Sequence, residues 1–123
     1  MKLHPNPRLA LNTVTAYGAG YVEVNGQRYE TCVHFMPEGE VSAWPVARAA
    51  DLTEADLGAL LERTPELILL GTGSRHLFLP PHLSAALVSR SIGIECMSSA
   101  AACRTYNILM SEGRLVAAAL IIE

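Results

Sequence analysis

Two short polar stretches in this chain carry the residue types that handle anions. The first is Gly71-Thr72-Gly73-Ser74-Arg75, directly after the apolar run 66–70. Its two glycines permit unusual backbone angles and let N–H groups approach a ligand closely. Thr72 and Ser74 add hydroxyls, and Arg75 adds a positive charge. Such a turn can hold a carboxylate or a phosphate, although its spacing is neither a P-loop nor a dinucleotide fingerprint. A tight turn out of a buried strand accounts for the same residues. The second stretch is Ser98-Ser99, at the head of an alanine-rich segment. A helix starting there has unpaired N–H groups and a partial positive charge. Alanines stand three residues on, where a reciprocal carboxylate would sit in a capping box. An anion is therefore better accommodated here than at the helix beginning near Thr53, which has Asp56. Plain serine capping is the simpler alternative.

Arg104, Tyr106 and Asn107 follow within the same helix. Tyr106 shares a face with Ala102 and Leu109, so its ring belongs to the core and its hydroxyl needs a partner. Asparagine is a poor helix former, so Asn107 in mid-helix is expected to bond backbone in a neighbouring loop, such as the one at Gly71. Arg104 can pair with Glu95, Glu112 or an external anion. No nucleophile–base pair accompanies these residues in sequence. A Cys–His pair assembled in space from Cys96 or Cys103 with His76 is the one nucleophilic alternative, and a weak one. The histidines at 4, 34, 76 and 82 lack metal-ligand spacing, and HExxH is absent. The sequence points to no metal and no cofactor.

The elements that must position these residues are legible. Tyr21-Val22-Glu23-Val24 alternates apolar and polar, Asn25-Gly26 follows, and 29–35 resumes the pattern, which predicts a hairpin through a type I′ turn. Gly18 and Gly20 suggest a bend or bulge before it. A short strand at 41–44 stops at Pro45. Thr53-Glu54-Ala55-Asp56 is a capping-box pattern opening a helix with Leu57, Leu60 and Leu61 on one face. The run 66–70 is too uniformly apolar to have a wet face. Pro80-Pro81 opens a second helix with a Leu83, Ala86, Leu87 stripe. A strand at 94–97, a helix at 99–112 ended by Gly113, and an apolar strand at 115–122 complete the order. The last strand should be central, with Ala117, Ala118 and Ala119 leaving room for a covering helix.

This order predicts an α/β fold of three layers: a mixed central sheet with covering helices and an N-terminal β-hairpin. If the strands at 66–70 and 94–97 are parallel, the Gly71–Arg75 turn and Ser98-Ser99 emerge at one sheet edge and line one crevice. The 123 residues fit a single domain, 1–123. A net charge of −3 with scattered Lys and Arg argues against nucleic acid. Cys32, Cys96 and Cys103 are odd in number and form no C-x-x-C, so free thiols in a reducing, cytoplasmic setting are expected. Residues 1–8 are polar, with Pro5 and Pro7, and do not read as a signal peptide. The apolar run 115–122 is too short to cross a bilayer, so no transmembrane segment is expected.

The runs Leu69-Leu70-Gly71-Thr72-Gly73, Gly93-Ile94-Glu95-Cys96-Met97, Ala102-Cys103-Arg104-Thr105-Tyr106-Asn107 and Glu112-Gly113-Arg114-Leu115-Val116-Ala117-Ala118-Ala119-Leu120 occur in that order. In this the chain resembles a small domain-of-unknown-function family. Its eukaryotic members include a mitochondrial assembly factor for respiratory complex I (NADH:ubiquinone oxidoreductase) and an adipogenesis-associated protein. The resemblance implies a three-layer α/β fold and a role exercised through protein partners. Two functions are therefore carried forward. One is a protein-interaction or assembly-factor-like module with partners of unknown identity. The other is a small anionic-ligand-binding protein or enzyme using Gly71, Thr72, Gly73, Ser74, Arg75, Ser98, Ser99, Arg104 and Asn107.

Overall fold

The computed structural model describes residues 11–123; the reading of residues 1–8 lies outside them. Its elements are β1 (Val14–Gly18), β2 (Tyr21–Val24), β3 (Gln27–Tyr29), β4 (Val33–Phe35), β5 (Ser42–Ala43), α1 (Glu54–Leu60), β6 (Leu67–Gly71), α2 (Pro81–Val88), β7 (Gly93–Met97), α3 (Ser99–Ser111) and β8 (Val116–Leu120). They form two sheets, a three-stranded β1-β2-β3 and a five-stranded β5-β4-β8-β6-β7. In the larger sheet β6 runs parallel to both β7 and β8, while β4 is antiparallel to β8, so the sheet is mixed.

Strand β8 is central, as its composition requires. All five of its residues are buried, and β6 beside it has Ile68, Leu69 and Leu70 fully enclosed. Each such aliphatic side chain stabilises the fold by about 1.5–3 kcal/mol. Alternation along these strands sends side chains to two different cores. Ile68, Leu70, Ala117 and Ala119 pack with Leu57 and Leu60 of α1 and Leu83 and Leu87 of α2. Leu69, Val116, Ala118 and Leu120 pack on the opposite face with Ala102, Cys103, Tyr106 and Met110 of α3, together with Val22 and Val24 of the small sheet. The three layers are therefore α1 and α2, the five-stranded sheet, and α3 with the β1-β2-β3 sheet.

Local signals set the element ends. Asn25 and Gly26 both have positive φ (51° and 84°), as a type I′ turn demands. Thr53 accepts from Asp56 N–H while the Asp56 side chain accepts from Thr53 N–H, the reciprocal box that starts α1. Gly113 (φ 83°) ends α3.

Three details differ from the sequence reading. Gly18 to Gly20, expected as a bend or bulge, is a full reversal that pairs β1 with β2 and adds a strand, and the register irregularity lies further back, between Val14 and Ala16. The 29–35 segment divides: β3 stays with the hairpin, and β4 joins the five-stranded sheet beside β8. Ala86 is exposed, because Leu83 and Leu87 alone suffice to seat the short helix α2. Among the described residues no helix is long and apolar enough to cross a membrane.

Candidate functional site

Strands β6 and β7 are parallel neighbours, and the chain leaves their carboxyl ends toward opposite faces. From β6 it runs to α2 on one face, and from β7 to α3 on the other. Such a divergence is where open α/β sheets bind ligands. Here the two exits are bonded to one another. Gly73 N–H donates to Ser99 Oγ at 2.9 Å, and Ser99 N–H donates to the Gly73 carbonyl at 2.8 Å. Thr72 N–H donates to the Met97 carbonyl at 2.8 Å. Ser99 Oγ in turn donates to the Ile121 carbonyl at 2.7 Å, so its hydroxyl both accepts from and donates to backbone. Gly71 makes this approach possible, since a Cβ there would lie 2.8 Å from Ser99 Cα.

Beside this seam lies a cleft of about 540 Å³, lined by the β1–β2 turn from Tyr17 to Tyr21, by Ser98, Ser99, Ala100 and Cys103 of the α3 end, and by Ile122 and Glu123. Glu123 reaches back across the turn and accepts from Ser74 N–H at 2.8 Å. Gly73 (φ 99°) leaves room for this; a Cβ there would meet the Glu123 carboxylate at 2.6 Å. The Ser74 backbone N–H, then the Ser74 hydroxyl, then the charge of Arg75 hold this carboxyl below its usual range. The turn thus accepts a carboxylate, as its residue types suggested, and that carboxylate belongs to the chain itself.

The nominated residues divide by position. Gly73, Ser74, Ser98 and Ser99 line the cleft, and Gly71 lies beneath Ser99. Ser98 caps α3 by accepting from Ala101 N–H at 3.2 Å. Thr72 is buried and faces elsewhere: its hydroxyl lies 2.6 Å from the Arg75 carbonyl and 3.0 Å from that of Met97, and accepts from Leu77 N–H at 3.0 Å. Arg75 is exposed. Arg104 pairs with neither glutamate; its guanidinium donates to the Tyr17 hydroxyl at 3.0 Å.

Asn107 does not reach the Gly71 loop. Its Oδ1 accepts from Val14 N–H at 2.9 Å and its Nδ2 donates to the Val14 carbonyl at 2.8 Å, fastening β1 to α3. This satisfies the amide at both ends; the partner is β1 because Asn107 lies further along α3 than Ser99, the residue that meets the β6 exit, and there the helix runs against β1. Tyr106 is fully buried, donates to the Asn12 carbonyl at 2.8 Å and meets Phe35 edge-on.

Tyr17, Ile122 and Glu123 also border the cleft and were not nominated by sequence reasoning, which named Cys103 only for a Cys–His pair with His76. A single carboxylate placed directly after an apolar strand was the one signal available for Glu123. Burial pushes the Cys103 thiol up to about 12, with Arg104 opposing weakly, so it stays protonated near neutral pH. His76 and His82 are exposed. Among the described residues no group of three His, Cys, Asp or Glu side chains is placed to hold a metal ion.

Residues 14–121 match the model of a family described as "Protein of unknown function (DUF498/DUF598)". The chain belongs to this family. It is 34% identical over 110 residues to the bovine (Bos taurus) "NADH dehydrogenase [ubiquinone] 1 alpha subcomplex assembly factor 3", covering 88% of this chain and 59% of that protein. The chain therefore spans about three-fifths of that relative. An uncharacterised protein of Rhodobacter capsulatus is 35% identical, over 88% of this chain and 82% of its own. The crystal structure of a Bordetella parapertussis protein superposes with a TM-score of 0.89 at 50% identity, covering 93% of this chain and 98% of that one. The three-layer α/β fold is thus that of the family.

Proposed function

We propose that this chain is an assembly-factor-like protein-interaction module, acting as one cytoplasmic domain. One observation carries the reading: the polar groups at the sheet edge are consumed by the fold. Ser99 is bonded on both sides, Thr72 builds its own loop, and Ser74 N–H is filled by Glu123. A site for chemistry needs polar groups that converge on an empty position; these converge on each other. The relatives named as assembly factors support the same direction. Cross-linked capture of the tagged chain from native extract tests the proposal. A partner recovered reproducibly in stoichiometric amount is the expected result, and a chain that remains alone counts against it.

A second reading has its own support. The 540 Å³ cleft is bordered by a turn that already holds a carboxylate, with Ser98 and Ser99 in its lining and Arg104 held at the Tyr17 hydroxyl. A small anion displacing Glu123 would use Gly73, Ser74, Arg75, Ser98 and Arg104. A thermal-shift screen of anionic metabolites, repeated on Arg104→Ala, decides this; an unchanged melting temperature throughout removes it.

A further inference from the structure

Asn25-Gly26 makes the turn between β2 and β3. Of the asparagines at 6, 12, 25 and 107, Asn25 alone precedes a glycine. Such a pair carries its own electrophile and nucleophile. The glycine nitrogen can attack the asparagine Cγ, because glycine has no Cβ to obstruct the approach. The N–Cγ bond forms, the Cγ–Nδ2 bond breaks, and ammonia leaves with the proton of the attacking N–H. Water then opens the cyclic imide at one carbonyl or the other, giving aspartate or isoaspartate. No other reactant enters.

Both residues are exposed, yet each reacting group is held. Gly26 N–H, the attacking group, donates to Thr15 Oγ at 3.1 Å. Asn25 Oδ1 accepts from Thr13 N–H at 3.0 Å, and its Nδ2, the leaving nitrogen, donates to Asn12 Oδ1 at 3.3 Å. Asn25 N–H donates to the Thr13 carbonyl at 2.9 Å. Ring closure needs Cγ to swing onto Gly26 N, and these bonds oppose it. Every one of them comes from residues 12–15, in β1 or just before it, and β1 is itself fastened at Val14 by Asn107. The lock on Asn25 is therefore β1, not exclusion of water.

We propose that Asn25 is a self-modifying site, deamidated through the Gly26 amide when β1 lifts from the β2–β3 hairpin. The product does not re-form the lock. Aspartate sets an oxygen against Asn12 Oδ1 where Nδ2 donated. Isoaspartate lengthens the backbone of a turn whose positive φ values (51° and 84°) fit type I′. Asn12 also holds the Met36 and Gly39 carbonyls, so the loosening reaches the loop after β4. The small sheet packs Val22 and Val24 against Cys103 and Tyr106, so the core under α3 is weakened too. Water does not restore the amide, and the change is one-way.

The test is timed incubation of the full chain at mildly alkaline pH, native and in guanidinium chloride. Peptide mass spectrometry reads conversion at Asn25. Two variants run alongside, each checked for folding by circular dichroism. Thr15→Val removes the acceptor of Gly26 N–H at an exposed position, and Asn107→Ala frees β1 from a distance. The denatured chain should convert at Asn25 before its other asparagines. The native wild type should convert about tenfold more slowly or less, since reaction waits on a minor open state. Both native variants should fall between these rates; if Asn107→Ala does not fold, Thr15→Val decides. Equal native and denatured rates overturn the proposal, as does a denatured chain that leaves Asn25 intact. So does a folded variant that converts no faster than the wild type.

Discussion

Gly73 and Ser99 are bonded to each other twice, N–H to hydroxyl at 2.9 Å and N–H to carbonyl at 2.8 Å, across the exits of two parallel strands. This pair closes the position where open α/β sheets ordinarily take a ligand. Ser99→Ala removes the hydroxyl that serves both Gly73 N–H and the Ile121 carbonyl. The expected loss is about 1–3 kcal/mol of stability, the cost of leaving enclosed polar groups unmatched. Urea denaturation measures it. Gly71→Ala should cost more, because its Cβ meets Ser99 backbone rather than a movable side-chain end.

Asn107 and Val14 form a second clamp. Asn107→Ala should lower stability by about 1–3 kcal/mol and, more tellingly, speed amide hydrogen exchange in β1 while leaving β6 and β8 protected. Asn107→Asp keeps the acceptor for Val14 N–H but sets a carboxylate oxygen against the Val14 carbonyl where the donor was, so its effect should be at least as large as that of alanine. Equal exchange in β1 for all three proteins would show that the clamp is redundant.

His34 gives the fold a pH slope near neutrality. Burial lowers its pKa from 6.5; Arg63 pushes the same way, and Glu62 opposes. The unfolded chain therefore binds a proton at pH values where the folded chain does not, and stability falls as pH drops through the unfolded value toward the folded one. Above that window the histidine contributes no slope. Melting temperatures of wild type and His34→Gln, compared across the window, should diverge toward acid, with the variant less sensitive. Parallel curves would contradict the assignment.

Cys103 lines the cleft yet is buried, and its thiol is pushed up to about 12. Thiolate is the reactive form. Cys103 should therefore resist iodoacetamide at neutral pH in the native protein and react once denaturant is added. Mass spectrometry of the labelled peptides gives the answer, and rapid native labelling at Cys103 would mean that the cleft opens.

What the sequence revealed follows the range of each signal. Asn25-Gly26, the Thr53–Asp56 box and Gly113 act over a few residues, and each lies where its pattern predicts. The apolar runs of β6 and β8 announced strands without a wet face, and β8 as the central one, because burial on both faces erases alternation. Strand β1 escaped notice because only Val14 of its five residues is buried, and its fastening residue is 93 positions away. Nothing in Glu30-Thr31-Cys32 marks the change of sheet between β3 and β4. At the candidate site, parallel strands made the meeting of the Gly71 and Ser98 loops legible. Their closure was not, since Ser99 to Ile121 and Glu123 to Ser74 are side-chain-to-backbone bonds spanning 22 and 49 residues, and such bonds leave no periodic trace.

The proposed role is to hold a protein partner rather than to use the sheet-edge cleft. Quantitative cross-linking mass spectrometry of the tagged full chain in native extract, run beside Arg104→Ala, tests it most directly. The same partner is expected across replicates, recovered equally by Arg104→Ala. A chain that cross-links to nothing, while a metabolite anion raises the melting temperature of the wild type and not of Arg104→Ala, would contradict it.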